Sequence, residues 1–248
     1  GTSNVRLGVN AGNSIASGGN YNVFIGDEAG TAMQTGDNNV AVGYNALATE
    51  DAHGRNVAIG KGALNVLNAG ADGNNVAVGY NTGGALTTGT GNTLLGSEAG
   101  DAFASGNSNV GVGLYALTID TLGDRAVAVG LNSLATQNFT TTTDNYNVGV
   151  GYQAGYAITT GVENTLIGGL AGDSLIDADE NTAMGKAALT SDTYGSKSTA
   201  IGHSALEAQN FTTATSAYNT AVGSDSGKAI TTGIQNTLIG SSAGDAIT

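Results

Sequence analysis

Asn147-Val148-Gly149-Val150-Gly151 is one of fourteen copies of a pentad that runs the length of this 248-residue chain. The pattern is Asn, then Val or Thr, then a small or apolar residue, then Val, Ile, Leu or Met, then Gly. The closing glycines are Gly8, Gly26, Gly43, Gly60, Gly79, Gly96, Gly113, Gly130, Gly151, Gly168, Gly185, Gly202, Gly223 and Gly240. Twelve copies keep the asparagine; Ala126 and Ser198 stand in the other two. Successive glycines are 17 to 21 residues apart. Such a period marks a stacked-repeat architecture in which each repeat buries its core against its neighbours.

A second order lies over the first. Three residues after the glycine the chain is nearly always Ala, as at Ala46, Ala63, Ala154 and Ala188. One residue further, the chain alternates in pairs: Gly83 and Gly100, then Leu117 and Leu134, then Gly155 and Gly172, then Leu189 and Leu206. Four coils therefore form a super-repeat: Gly79 to Gly151 and Gly151 to Gly223 are each 72 residues. The long fourth coils carry Gln137-Asn138-Phe139-Thr140 and Gln209-Asn210-Phe211-Thr212. The blocks run approximately over 1–74, 75–146 and 147–218, with a partial block at 219–248, all in one β-solenoid domain spanning 1–248. The chain starts in one repeat and stops partway through another, as expected of a segment of a longer protein.

Val148 and Val150 are two apart, so on a strand they share a face, and β-branched residues favour extended backbone. We expect these two to point inward. The glycine then allows a tight turn. A second short extended segment follows, as in Tyr156-Ala157-Ile158-Thr159-Thr160, with an apolar anchor that recurs at Ile15, Met33, Leu86, Phe103, Ile158, Leu175, Ile230 and Ile247. Two short strands and two turns per repeat describe a parallel β-solenoid of about fourteen coils. The period of two and the 41 glycines exclude a helical reading. Stacked asparagines should form a ladder of hydrogen bonds from coil to coil. At about 4.8 Å per coil the rod would be roughly 65 Å long.

Between the two valines lies a row that is almost entirely Ala, Gly or Leu, including Ala41, Ala58, Ala77, Leu94, Gly111 and Ala128; Arg6 and Phe24 depart from it. With the valines inward, this row faces out. A small apolar outer row predicts packing against other copies of the chain around a symmetry axis.

Composition narrows function. Seven Lys+Arg against twenty Asp+Glu give a net charge of −13, which disfavours nucleic-acid and anionic-membrane partners. No Cys is present, and no apolar run is long enough to span a bilayer. No signal peptide is visible. A period of 17 excludes collagen, and hydrophobic residues at fixed repeat positions argue against disorder.

Asn75-Val76-Ala77-Val78-Gly79, Asn56-Val57-Ala58-Ile59-Gly60 and Ser198-Thr199-Ala200-Ile201-Gly202 resemble the head repeats of trimeric autotransporter adhesins. Asn147-Val148-Gly149-Val150-Gly151-Tyr152-Gln153-Ala154-Gly155, followed by Thr159-Thr160-Gly161, is also similar to repeats of phage tail fibres. The resemblance covers the whole chain, although the 17-residue coil is longer than is typical of adhesin heads. It implies a left-handed parallel β-roll, a homotrimer with the motif strand near the axis, and a place outside the cell, on a bacterial surface or a virion. It also implies attachment to a host cell-surface receptor or glycan.

Other motifs carry less. Gly111-Val112-Gly113-Leu114-Tyr115-Ala116 matches a dinucleotide fingerprint, but no βαβ unit surrounds it. His53 and His203 are lone histidines without a partner set, and no catalytic residue or cofactor is nominated. Asp27-Glu28, Asp72, Asp177 and Asp179-Glu180 are weak Ca²⁺ candidates that occupy no fixed repeat position, and solvated carboxylates are the better reading. Asn138-Phe139-Thr140 and Asn210-Phe211-Thr212 are glycosylation sequons, and their phenylalanines are expected to pin the long loops. Those loops, 136–146 and 208–218, are the favoured contact regions. Tyr44, Tyr80 and Tyr152 follow the motif glycine and, with Phe139 and Phe211, are the candidate surface-contact residues. An ice-binding or stand-alone scaffold solenoid is the alternative function. The threonines near Thr87-Thr88, Thr159-Thr160 and Thr231-Thr232 form only a broken row for ice binding.

Overall fold

A computed structural model describes residues 1–247. It is all-β, a parallel β-solenoid of about fourteen coils with no helix among the described residues. The chain divides into two compact units, residues 1–125 with 140–143, and residues 126–139 with 144–247.

In the first unit seven three-residue strands stack in parallel: Val5–Leu7, Val23–Ile25, Val40–Val42, Val57–Ile59, Val76–Val78, Thr93–Leu95 and Val110–Val112. Equivalent repeat positions pair throughout, so Val40, Ala41 and Val42 meet Val57, Ala58 and Ile59. The second unit stacks Val127–Val129, Val148–Val150, Thr165–Ile167, Thr182–Met184, Thr199–Ile201, Thr220–Val222 and Thr237–Ile239 in the same way.

The facing of these strands corrects the sequence reading. The middle residue is the buried one: Ala41, Ala58, Ala77, Leu94, Ala128, Leu166, Ala183, Ala200 and Ala221 are all sealed inside their coils. The flanking residues, Val40 and Val42 or Thr199 and Ile201, lie half-exposed on the outside. The reason is the asparagine. It is two residues before the middle position, so both share one side of the strand. The asparagines from Asn22 to Asn219 are buried, and the alanine row must be buried with them.

The second segment of each coil is also not the expected strand. The residue two after the glycine and the residue four after it both lie at positive φ, as at Gln153 (53°) and Gly155 (61°). Tight turns follow one another there: Ala154 N–H donates to Gly151 O, Tyr156 N–H to Gln153 O and Ile158 N–H to Gly155 O at 3.2–3.4 Å. These turns swing the anchors Leu86, Phe103, Ile158, Leu175 and Ile230 into the core. In the second unit an additional short strand occurs where Gly195–Ser196 pairs with Thr215–Ser216, between a third and a fourth coil.

The paired Gly and Leu four residues after the motif glycine are a packing code. Where the strand's middle residue is Leu94 or Leu166, that position is Gly100 or Gly172. A Cβ on Gly172 would come within 2.8 Å of Leu166 Cδ2 and of Leu175 Cδ1. Where the middle residue is Gly111, Ala183 or Ala200, the position holds Leu117, Leu189 or Leu206, buried despite φ between 50° and 56°. In these coils the strand side or the turn side supplies the bulk; where both are small, as at Gly149 and Gly155, Leu134 and Leu166 of the adjacent coils close on the space.

Candidate contact surface

The asparagine ladder is continuous over long stretches and more specific than amide-to-amide stacking. Asn92 Oδ1 accepts the backbone N–H of Asn109 at 3.0 Å, and Asn92 Nδ2 donates to Gly106 O at 2.8 Å. Asn22, Asn39, Asn75, Asn147, Asn164 and Asn181 repeat at least one of these bonds with their own neighbours. Each side chain thus satisfies a buried donor and a buried acceptor.

Sequence reasoning missed the polar residues that replace the apolar anchor in the third and fourth coils. Seven residues after the motif glycine stand Glu50, Asp120 and Asp192 in third coils, and Gln137 and Gln209 in two fourth coils, all fully buried. Asp192 Oδ1 accepts the N–H groups of Gly195 and Phe211 at 3.0 Å, and Asp192 Oδ2 accepts from Gln209 Nε2. Gln209 Nε2 also donates to Ser198 Oγ at 3.0 Å, and Gln209 Oε1 accepts from Asn219 Nδ2 at 2.8 Å. The glutamine bridges the ladder in the coil where Ser198 replaces asparagine. Gln137 Oε1 accepts from Asn147 Nδ2 at 2.9 Å in the coil of Ala126. The gap in the recurrence of apolar anchors was the available clue.

Glu50, Asp51 and His53 bring their ligand-type atoms within 4.8 Å of one another. Glu50 already works as the third-coil plug. Its Oε1 accepts the His53 N–H at 3.1 Å and lies 3.1 Å from His53 Nδ1, and its Oε2 accepts the Ala69 N–H at 3.1 Å. The carboxylates weighed for Ca²⁺ bond from coil to coil. Asp27, Asp72 and Asp179 accept the N–H groups of Val9, Gly54 and Val162, and Asp177 accepts from Thr160 Oγ1. Glu28 accepts from Asn10 Nδ2, and Glu180 pairs with Lys197 at 3.6 Å. The Gly111–Ala116 fingerprint spans a strand end and a turn, with no helix to receive a phosphate. His203 is exposed on the turn surface.

Asp101 and Asp173 occupy equivalent second-coil positions. Burial pushes both carboxyls up from their ordinary value, against the opposing hydrogen bonds from Thr118 Oγ1 and Thr190 Oγ1.

The candidate contact residues separate into two groups. Tyr44, Tyr80 and Tyr152 are 51%, 52% and 51% exposed. Phe139 and Phe211 are 5% and 7% exposed, so these rings anchor the chain and offer little surface. Phe211 is held by its N–H to Asp192 and by its carbonyl, which accepts from Tyr194 N–H at 3.1 Å. Tyr44 and Tyr80 come together around a notch of about 130 Å³ lined also by Asn45, Lys61, Gly62, Asn65 and Asn81. Tyr152 belongs to the other unit and is not among the residues that line this notch.

An apolar column outside the core is formed by the last strand residue of each coil. It is Leu7, Ile25, Val42, Ile59, Val78, Leu95 and Val112 in the first unit. In the second it is Val129, Val150, Ile167, Met184, Ile201, Val222 and Ile239. None is buried. No described helix is long and apolar enough to cross a membrane. Comparison with protein-family models, with curated proteins and with solved structures gives no match.

Proposed function

We propose that this chain is a structural and adhesive rod segment that assembles as a homotrimer and serves attachment to a host surface. Trimeric autotransporter heads and phage tail fibres work in this way. The observation that carries the proposal is the outer column of Val, Ile, Leu and Met, apolar in all fourteen coils. Within each unit, a parallel sheet whose outer face holds such a column presents an apolar stripe to water, and monomeric proteins rarely leave one uncovered. A rotation axis would bury the same stripe of each copy at once. The outer stripe thus supplies the support for assembly that the alanine row was expected to give. Few charges, a dense hydrogen-bond ladder and half-exposed tyrosines on turns suit a stiff display scaffold at a bacterial surface or on a virion.

Light scattering on a size-exclusion column tests the assembly. Three times the 24.2 kDa chain mass is expected, and a monodisperse monomer overturns the trimer. One observation favours the alternative of a lone, water-ordering solenoid. The first strand residue of five successive coils is Thr165, Thr182, Thr199, Thr220 and Thr237, an unbroken outer threonine column. A monomer that shows thermal hysteresis would establish that reading instead.

A further inference from the structure

We propose that the notch between Tyr44 and Tyr80 is a binding site for a single sugar ring bearing a carboxylate, held by the two tyrosine rings and Lys61. The inference rests on the attachment role above and names the ligand class for one surface of it.

The position after the motif glycine reads Asp27, Tyr44, Lys61, Tyr80, Ser97 over five successive coils. Tyr44 and Tyr80 are therefore two coil steps apart, roughly 10 Å at about 4.8 Å per step. Lys61 lies between them, its Nζ 5.6 Å from the centroid of the Tyr80 ring. Two half-exposed rings with a cation between them offer an apolar face, hydroxyls and one positive charge. A pyranose carboxylate presents the complement: C–H faces, hydroxyls and one negative charge.

The floor of the notch is unusual in this chain. Two residues after the motif glycine, the other thirteen coils carry a side chain, from Asn45 and Asn81 to Glu98 and Leu170. Only here is that residue glycine, Gly62, at φ +70°. A Cβ on Gly62 would face Asn81 Oδ1 at 3.3 Å, so a side chain there would fill the notch. The missing side chain creates the room.

Charge selects the ligand further. Arg55, Lys197 and Lys228 are each paired with carboxylates, Asp72, Glu180, and Glu207 with Asp225. Lys197 also lies over a tyrosine, Tyr218 at 5.6 Å, yet Glu180 neutralises it. Lys61 has the ring and no carboxylate at ion-pair distance among the described residues. One coil to either side the surface turns acidic, with Asp27-Glu28 before Tyr44 and Glu98 after Tyr80. In a chain of net charge −13, those flanks repel an extended polyanion and leave room for one anionic group.

Saturation-transfer NMR with methyl β-glucuronide and methyl β-glucoside tests the site on the full chain. Transfer to the glucuronide from aromatic protons is expected, with affinity about tenfold above that for the glucoside because only the acid pairs with Lys61. Lys61→Met should remove that preference. Gly62→Asn should abolish binding; the same position is Asn at positive φ in neighbouring coils, so this variant keeps its fold, checked by circular dichroism. Absence of glucuronide binding, equal affinity for both sugars, or unchanged binding by Gly62→Asn overturns the proposal. The mass of the same samples separates the two readings. A trimer that binds neither sugar sinks only this site, and a monomer that binds glucuronide sinks only the trimer.

Discussion

The ladder asparagines combine two functions in one short side chain: the carbonyl accepts from the next coil and the amide donates across the turn. Aspartate lacks the donor, and serine is too short to reach both groups, which is why Ser198 is accompanied by Gln209. Asn92→Ala leaves the Asn109 N–H and the Gly106 carbonyl without their side-chain partner. At about 1–3 kcal/mol for each buried unpaired group, we expect a loss on the order of 2–6 kcal/mol. Because repeat arrays open locally, the sensitive readout is hydrogen exchange at the Asn109 amide, which should accelerate while distant coils stay protected. A second residue-scale prediction concerns pH. Burial raises the Asp173 carboxyl, so the folded chain holds that proton more tightly than the unfolded chain does. Stability from this group is present below the ordinary aspartate range and is lost as pH rises through the raised folded value. Asp173→Asn keeps an acceptor for Thr190 Oγ1 and removes the charge. Its urea midpoint should exceed that of the parent at pH 7, with the gap closing toward pH values of about 3. An unchanged gap across that range would show that the carboxyl is not responsible.

At the scale of the coil, the interior is shared between the strand's middle residue and the residue four after the glycine. Leu166, Gly172 and Leu175 are one solution; Ala58, Leu64 and Leu67 are another, within the same protein. Leu166→Ala alone should cost about 2–5 kcal/mol through the cavity it leaves. Adding Gly172→Leu should restore part of this, because it recreates the Ala58-type coil, less about 1–2 kcal/mol for a leucine in the left-handed region. Denaturant unfolding of the single and double variants measures the difference, and a double variant weaker than the single one would refute the shared-volume account. The super-repeat follows from the same economy of space. Third coils place a buried carboxylate where others have an apolar anchor, and in the later blocks the fourth coils answer with glutamine.

Over the whole molecule, the proposed trimer rests on the outer apolar column. Ile201 sits within that column, half-exposed, with Met184 and Val222 as neighbours in register. Ile201→Glu should therefore leave the circular-dichroism spectrum and the fold of the chain intact while lowering the mass from trimer toward monomer. A charge inserted at the centre of an apolar interface costs several-fold to many-fold in assembly, since it would be desolvated without a partner. An Ile201→Glu chain that remains trimeric would place the interface elsewhere.

The amino-acid sequence by itself determined the architecture, because period, glycine and asparagine recur at fixed places and each has a backbone reason. The coil number, the parallel register, the asparagine ladder and the four-coil block were all legible in that recurrence; the burial of the ladder was not. The facing of the strand was also encoded, in the two-residue separation of Asn147 and Gly149, but apolarity on both faces masked it. Hydrophobicity alone does not tell an inner valine from an outer one. Only the tertiary structure decided which residues meet across coils 17 to 21 positions apart. It paired Gln209 with Asp192 and Ser198, sealed Phe211 inside, and set Tyr44, Lys61 and Tyr80 around Gly62. Side chains that break the repeat carry no periodic signal, so their partners are defined by stacking, and stacking exists only once the coils are wound.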